Sequence, residues 1–202
     1  MRILLIALFG ILLLNPILST AQNRAEKISE KDWDTLIQLL TDEKWDSVEN
    51  LSMQYLNRFD INDDSLADPA IVRYMYLRCI AARFSEKTYD EEQSLKKMEF
   101  LTGKTIITPP KEFYSKCEFN CLQLTEDQKN LRSCGSNNHN TIIQTFETYI
   151  MSDTNFVKTP DLIENKDFRL GGVIKSIKAG GVTMPRLEVI IEDAFVWEEE
   201  GE

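Results

Sequence analysis

Between Pro69 and Phe84 the chain carries Ile71, Val72, Tyr74, Met75, Tyr76, Leu77, Cys79, Ile80 and Phe84, interrupted only by alanines and by Arg73, Arg78 and Arg83. A helix made from this stretch is apolar nearly all round. It cannot lie on a surface with one face in water, so it belongs in the middle of a layer with partners on more than one side. Asp68-Pro69 marks its start, as a capping residue followed by proline at the first helical position. Whatever else the chain does, the rest must be arranged to cover this segment.

Two helices precede it. Trp33, Leu36, Ile37 and Leu40 follow the spacing of one helical face, with Ser29 or Asp32 placed to cap the start. After Thr41-Asp42-Glu43, a second stripe runs through Trp45, Val48, Leu51, Tyr55, Leu56 and Phe59, and the polar stretch Asp60 to Asp64 ends it. A fourth helix is expected over Tyr89 to Leu101, stopping at Gly103. Glu43-Lys44-Trp45-Asp46 with Leu51 aligns with Lys87-Thr88-Tyr89-Asp90 with Leu95 at an offset of 44 residues. On these residues the region from about 30 to 102 resembles the paired helices of tetratricopeptide-type proteins. That resemblance implies stacked helical hairpins that bind partners, although the period exceeds the usual 34 or so and the small stacking residues are missing. An ordinary four-helix bundle fits the same pattern.

Beyond Gly103 the period changes from helical to strand-like. Strands are expected at Lys104 to Thr108, Phe119 to Leu124, Thr141 to Met151, Leu170 to Lys178 and Arg186 to Ala194, with a helical turn at Thr159 to Glu164. Ala179-Gly180-Gly181 reads as the turn between the last two. The order, with the run Leu170-Gly171-Gly172-Val173-Ile174-Lys175-Ser176-Ile177, is similar to the oligonucleotide/oligosaccharide-binding barrel of anticodon-binding-like proteins. The resemblance implies ligand binding on the barrel face, but single-strand readers need a basic groove. Here Lys175 and Lys178 are balanced by Glu188, Glu192 and Asp193. The fold expected is therefore α+β, with antiparallel helical hairpins over residues 22–102 and a small barrel or sandwich of about five strands over 103–196.

The ends of the chain speak to destination. Arg2, the apolar run Ile3 to Leu14 and the site Ser19-Thr20-Ala21 read as a secretory signal over residues 1–21, cleaved before Gln22. The run is too short for a membrane span, which needs ~20 residues, and no second such run follows. The expected destination is secreted or periplasmic, with no membrane span in the mature chain. The whole chain also resembles exported bacterial proteins. The acidic residues Glu198 to Glu202 close it as a solvated tail over 197–202. The chain carries 33 acidic against 23 basic residues, a net charge of −10. That acidity is spread over both halves and disfavours nucleic-acid and anionic-lipid partners.

Chemistry concentrates at Cys117, Cys121, Cys134 and His139, the only histidine. A disulfide is the first expectation in an oxidising compartment, Cys121 with Cys134 or Cys117 with Cys134. The same four residues supply the donors of a tetrahedral zinc site, and a Cys-His pair is the nearest approach to a nucleophile and base. Cys79 reads as a buried small hydrophobe, and His139, in Gly135-Ser136-Asn137-Asn138-His139-Asn140, as part of a polar hairpin loop. No G-x-S-x-G or H-E-x-x-H occurs, and Gly103-Lys104-Thr105 lacks the first glycine of a phosphate loop. No complete catalytic set and no cofactor motif is present. The sequence therefore points to a non-enzymatic binding or interaction module with a protein or small-ligand partner. A small thiol or metal-dependent enzyme centred on Cys117, Cys121, Cys134 and His139 is the alternative.

Overall fold

A computed structural model describes residues 27–59, 67–116, 121–152, 163–181 and 183–198. The signal segment, Asp60 to Asp64, Cys117, the turn expected at Thr159 to Glu164 but for its last two residues, and residues 199–202 of the tail lie outside these.

Helices come first. They are α1 (Glu30–Thr41), α2 (Trp45–Leu56), α3 (Ala67–Ser85) and α4 (Glu91–Met98), the last followed by a 3-10 turn at Glu99–Leu101. Ser29 caps α1 by accepting from the Asp32 amide, and Asp90 with Gln93 forms a reciprocal capping box on α4. Asp68 serves differently from its expected role. It lies inside α3, and its carboxylate accepts from the Ile28 amide at 2.7 Å, tying the chain ahead of α1 to the central helix.

Helix α3 is buried along almost its whole length and stands between two cores. Val72, Met75 and Cys79 pack with Leu36, Val48 and Tyr55 of α1 and α2. Tyr74, Leu77, Ile80, Ala81 and Phe84 pack with Met98 and with the sheet. The larger core therefore crosses the change of period at Gly103. Ile37, expected on the buried stripe of α1, is half exposed at 49%, because only Leu36 on that helix reaches full burial.

Strands follow as β1 (Thr105–Ile107), β2 (Lys111–Glu112), β3 (Leu122–Leu124), β4 (Leu131–Ser136), β5 (Ile143–Met151), β6 (Asp167–Gly180) and β7 (Arg186–Glu198). They form one seven-stranded sheet in the order β1-β6-β7-β5-β4-β3, with β2 also pairing β6. The pairs are antiparallel except β5 with β7. The expected barrel is not formed. The ladder stops at β3 on one side and at β1 and β2 on the other, with an isolated bridge from Phe113 to Leu122 across the gap. The core lies between one face of the sheet and α3, so there is no need to close the sheet on itself.

Two further differences concern length and number. Strands β2 and β4 were not expected, which is why five strands become seven among the described residues. The long pair β6 and β7 carries its pairing to Glu198, so the acidic end begins inside a strand and not after residue 196. Bulges at Gly171/Val173 and Ile174/Ser176 interrupt the β6 register and give the pair its local twist.

Candidate functional site

The densest polar chemistry in the described residues is a buried junction where α3, β2, β4 and β5 meet. Alternation along β5 turns Thr145, Glu147 and Tyr149 to the inner face, and the β4 register sets Ser133 opposite Glu147. Glu147 is 1% exposed. Its carboxylate accepts from Tyr149 Oη at 2.8 Å, Thr145 Oγ1 at 2.9 Å, Tyr74 Oη at 3.0 Å and Lys111 Nζ at 3.3 Å. Lys111, first residue of β2, also donates to Ser133 Oγ at 2.5 Å and to the Cys134 carbonyl at 3.2 Å. One turn beyond Tyr74 on α3, Arg78 donates to the Ser136 carbonyl at 2.6 Å and to Gln144 Oε1 at 3.0 Å. A Cβ on Gly135 would lie 1.1 Å from Arg78 Nη1, so only glycine leaves room for the guanidinium against β4.

Burial alone would raise the Glu147 carboxyl, but Lys111, Arg78 and the hydroxyls of Tyr149 and Thr145 outweigh it and hold it below its ordinary value. For Lys111 burial works downward, and the charge of Glu147 with the Tyr74 phenol wins, raising the ammonium above its ordinary value. The two groups are thus locked as an ion pair whose spare donors and lone pairs are occupied. The Lys111–Ser133 contact has the spacing of a serine–lysine dyad, yet a general base must first be unprotonated. Glu147 keeps the proton on Lys111, and Ser133 is 4% exposed. The junction joins α3 to the sheet and has no base to offer a substrate.

Of the residues singled out by sequence, Cys134 meets the junction through its carbonyl, which accepts from Lys111, while Cys79 and His139 fall elsewhere. Cys79 is a fully buried thiol that donates to the Trp45 carbonyl at 3.0 Å. Burial, reinforced by the charge of Glu49, pushes its pKa up to about 12, which keeps the proton in place. Cys134 is also a buried thiol, while Cys121 is disulfide-bonded. Neither pairing through Cys134 is therefore formed. Cys117 lies outside the described residues. His139 sits exposed in the β4–β5 turn, where Asn137 and Asn140 hold the loop closed. Among the described residues no group of three His, Cys, Asp or Glu side chains is placed to hold a metal.

The helical repeat proves to have a backbone counterpart. After α1 the amides of Asp42, Glu43 and Lys44 bond to the carbonyls of Gln38, Leu40 and Leu39. After α3 those of Glu86, Lys87 and Thr88 bond to Ala82, Phe84 and Arg83, each 44 residues on. Glu43 and Lys87 take the same left-handed conformation, φ 54° and 61°. An open pocket of about 320 Å³ lies between the two loops, lined by Lys44, Trp45, Asp46, Arg83 and Glu86 among others. Its polar groups are largely spoken for. Trp45 Nε1 donates to Glu86, and Arg83 pairs with Asp46 and Glu49. Asn138 of the β4–β5 turn reaches the first loop, donating from its amide to Glu43 and from its side chain to the Thr41 carbonyl.

Sequence reasoning passed over Lys111, Ser133 and Glu147 because each alone looks like an ordinary surface residue of a strand. Their period-2 placement beside Thr145 and Tyr149 was the available signal. Comparison of the chain with protein-family models, with curated proteins and with solved structures finds no match.

Proposed function

We propose that the protein is an exported, non-enzymatic interaction module that meets a protein partner through the outer face of its sheet. The observation behind this reading is the unequal treatment of the two faces. The inner face is covered by α3 and α4. The outer face leaves Phe146 38%, Ile150 37% and Phe195 41% exposed, large apolar side chains on neighbouring strands. Phe146 stands beside Glu188 and Thr148 beside Ile190 in the β5–β7 register, and the Arg186 guanidinium lies 4.8 Å from the Phe146 ring. Aromatic, aliphatic and arginine side chains together are the composition of an interface centre. The paired helices would act as the support that holds this face rigid, and their likeness to tetratricopeptide hairpins adds partner binding as the general use of such scaffolds.

The alternative, a thiol or metal enzyme on Cys117, Cys121, Cys134 and His139, has less support, since His139 is exposed while Cys134 is 7% exposed. Export is tested by the mass of the secreted chain, which should begin at Gln22 or close to it. Binding is tested by photo-crosslinking groups placed at Phe146, Ile150 and, as a control, Ile37 in the exporting cell. A discrete adduct from the two sheet positions, absent from the control, supports the reading. Equal labelling at all three, or none at the sheet, rejects it.

A further inference from the structure

An antiparallel sheet that leaves one face to water carries polar residues there. The outer face of this sheet does not follow that pattern. Along β5, Phe146, Thr148 and Ile150 alternate with the buried Thr145, Glu147 and Tyr149, so all three point outward. Ile190, in register with Thr148, carries the row onto β7, where Phe195 follows beyond Asp193. A Cβ on Gly171 would lie 2.3 Å from the Phe195 ring, so the ring lies down on the backbone of β6 instead of standing away from the sheet. The result is a level apolar strip across neighbouring strands.

The charges around the strip are mixed. Lys175 Nζ lies 2.9 Å from the Glu192 carboxylate, and the Arg186 guanidinium 3.7 Å from that of Glu188. Arg132, in register with Thr148, and Lys178, in register with Glu188, are exposed beside these pairs. Cations thus match the carboxylates Glu188, Glu192 and Asp193 around the strip, in a chain whose net charge is −10. The acidic excess lies elsewhere, and two copies that met through it would repel. A surface holding apolar groups and charges of both signs is complementary to itself, which an interface between identical subunits requires.

Size agrees with this. The ladder β1-β6-β7-β5-β4-β3, at ~4.8 Å per step and about 30 Å along β5, presents roughly 700 Å² per copy, near the ~800 Å² that each partner gives to a specific interface.

We propose that the occupant of the outer face is a second copy of this chain, the two sheets packing outer face to outer face about a two-fold axis between them. The proposal rests on the reading of this face as the protein-binding surface and names the protein that binds. Each sheet then supplies the second layer that the other lacks, with strand directions within about 30° of each other. Phe146, Ile150 and Phe195 are buried at the centre, and the mixed charges meet their opposites on the partner copy.

The test is sedimentation equilibrium of the full mature chain. Between about 1 and 100 µM the mass should move from one chain to two, as a micromolar Kd requires. Phe146→Glu and Ile150→Glu, which set a carboxylate in the centre of the contact, should each weaken the dimer at least about tenfold. Ile37→Glu, at a half-exposed residue of α1, should leave it unchanged. A photo-crosslinking group at Ile150 should yield an adduct of two copies. A chain that stays monomeric throughout overturns the proposal, and an adduct with a different protein from the exporting cell then leaves the partner reading standing without it. A dimer that survives both sheet substitutions, in variants that circular dichroism shows folded, overturns it as well.

Discussion

Helix α3 is held at two carboxylates that have similar partners and different surroundings. Glu147, in the sheet, takes hydrogen bonds from Lys111 and from Tyr74, Thr145 and Tyr149. Glu49, on α2, takes them from Arg83 at 3.1 Å, Lys97 at 2.6 Å and Tyr89 at 2.8 Å, and the Arg83 guanidinium lies 4.0 Å from the Tyr89 ring. Chemically the two sites are nearly the same, a carboxylate meeting ammonium, phenol and, at Glu49, guanidinium donors. At Glu147 every member is buried, so any missing partner leaves a charge without water. At Glu49 the Lys97 side chain is 37% exposed and Asp46 82%, so solvent stands ready to replace what is lost. The same contacts therefore specify structure at one end of α3 and only support it at the other.

The largest effect should come from dividing the molecule. A fragment of residues 22–102 keeps Glu49 and its partners but uncovers Tyr74, Leu77, Ile80 and Phe84, which pack against the sheet. It should show a broad, non-cooperative melt by circular dichroism where the full chain shows one transition. A sharp fragment transition would mean that the core around Val72, Met75 and Cys79 suffices alone, and would break the comparison.

Next in size is Glu147→Gln, which leaves Lys111 buried without its counter-charge and should cost roughly 3–5 kcal/mol in chemical denaturation. Adding Lys111→Met to that change should recover most of the loss, since it removes the buried charge that the first change leaves uncompensated. The sign with pH follows from the directions of the shifts. The lowered carboxyl contributes stability above its unfolded range, lost as pH falls through the lowered folded value. The raised Lys111 contributes below the ordinary lysine range, lost as pH climbs past its folded value. The wild-type chain should hence lose stability at both extremes and the double variant lose less, a difference that urea titrations across pH would show.

Glu49→Gln should be milder, about 1 kcal/mol, because water reaches its partners. The loss should shrink further in high salt, which screens a site near the surface but not one inside it. A salt-independent loss as large as that of Glu147→Gln would erase the distinction between the two sites.

Smallest are the matched loops. Lys87→Gly relieves a left-handed non-glycine residue and should stabilise by about 0.5–1 kcal/mol. Glu43→Gly should gain less, because Glu43 also accepts from the Asn138 amide. Equal gains in thermal melts would show that this contact adds nothing.

Much of the architecture was legible because periodicity reports burial. The stretch Pro69 to Phe84 could only be a central helix, and α1, α2, β5 and β7 follow from regular apolar spacing. Strand β4 escaped because its inner face presents Ser133 and Gly135, residues that read as loop until Lys111 and Arg78 are seen to occupy the space above them. Cys134 suffered from the same misreading. Set in a loop it suggests a disulfide, whereas within β4 it stands in register with Phe146 of β5.

By itself the sequence determined the α+β class, the place of the change from helix to strand, and the buried station of α3, since each depends on which residues avoid water along a local stretch of chain. Only the tertiary structure decided that the sheet stays open, that α3 joins two cores, and that Lys111 meets Glu147, residues separated by 36 positions. Those outcomes rest on pairings between distant segments. The local pattern of hydrophobicity says that a polar residue sits in a strand, but not which opposite charge the fold will bring against it.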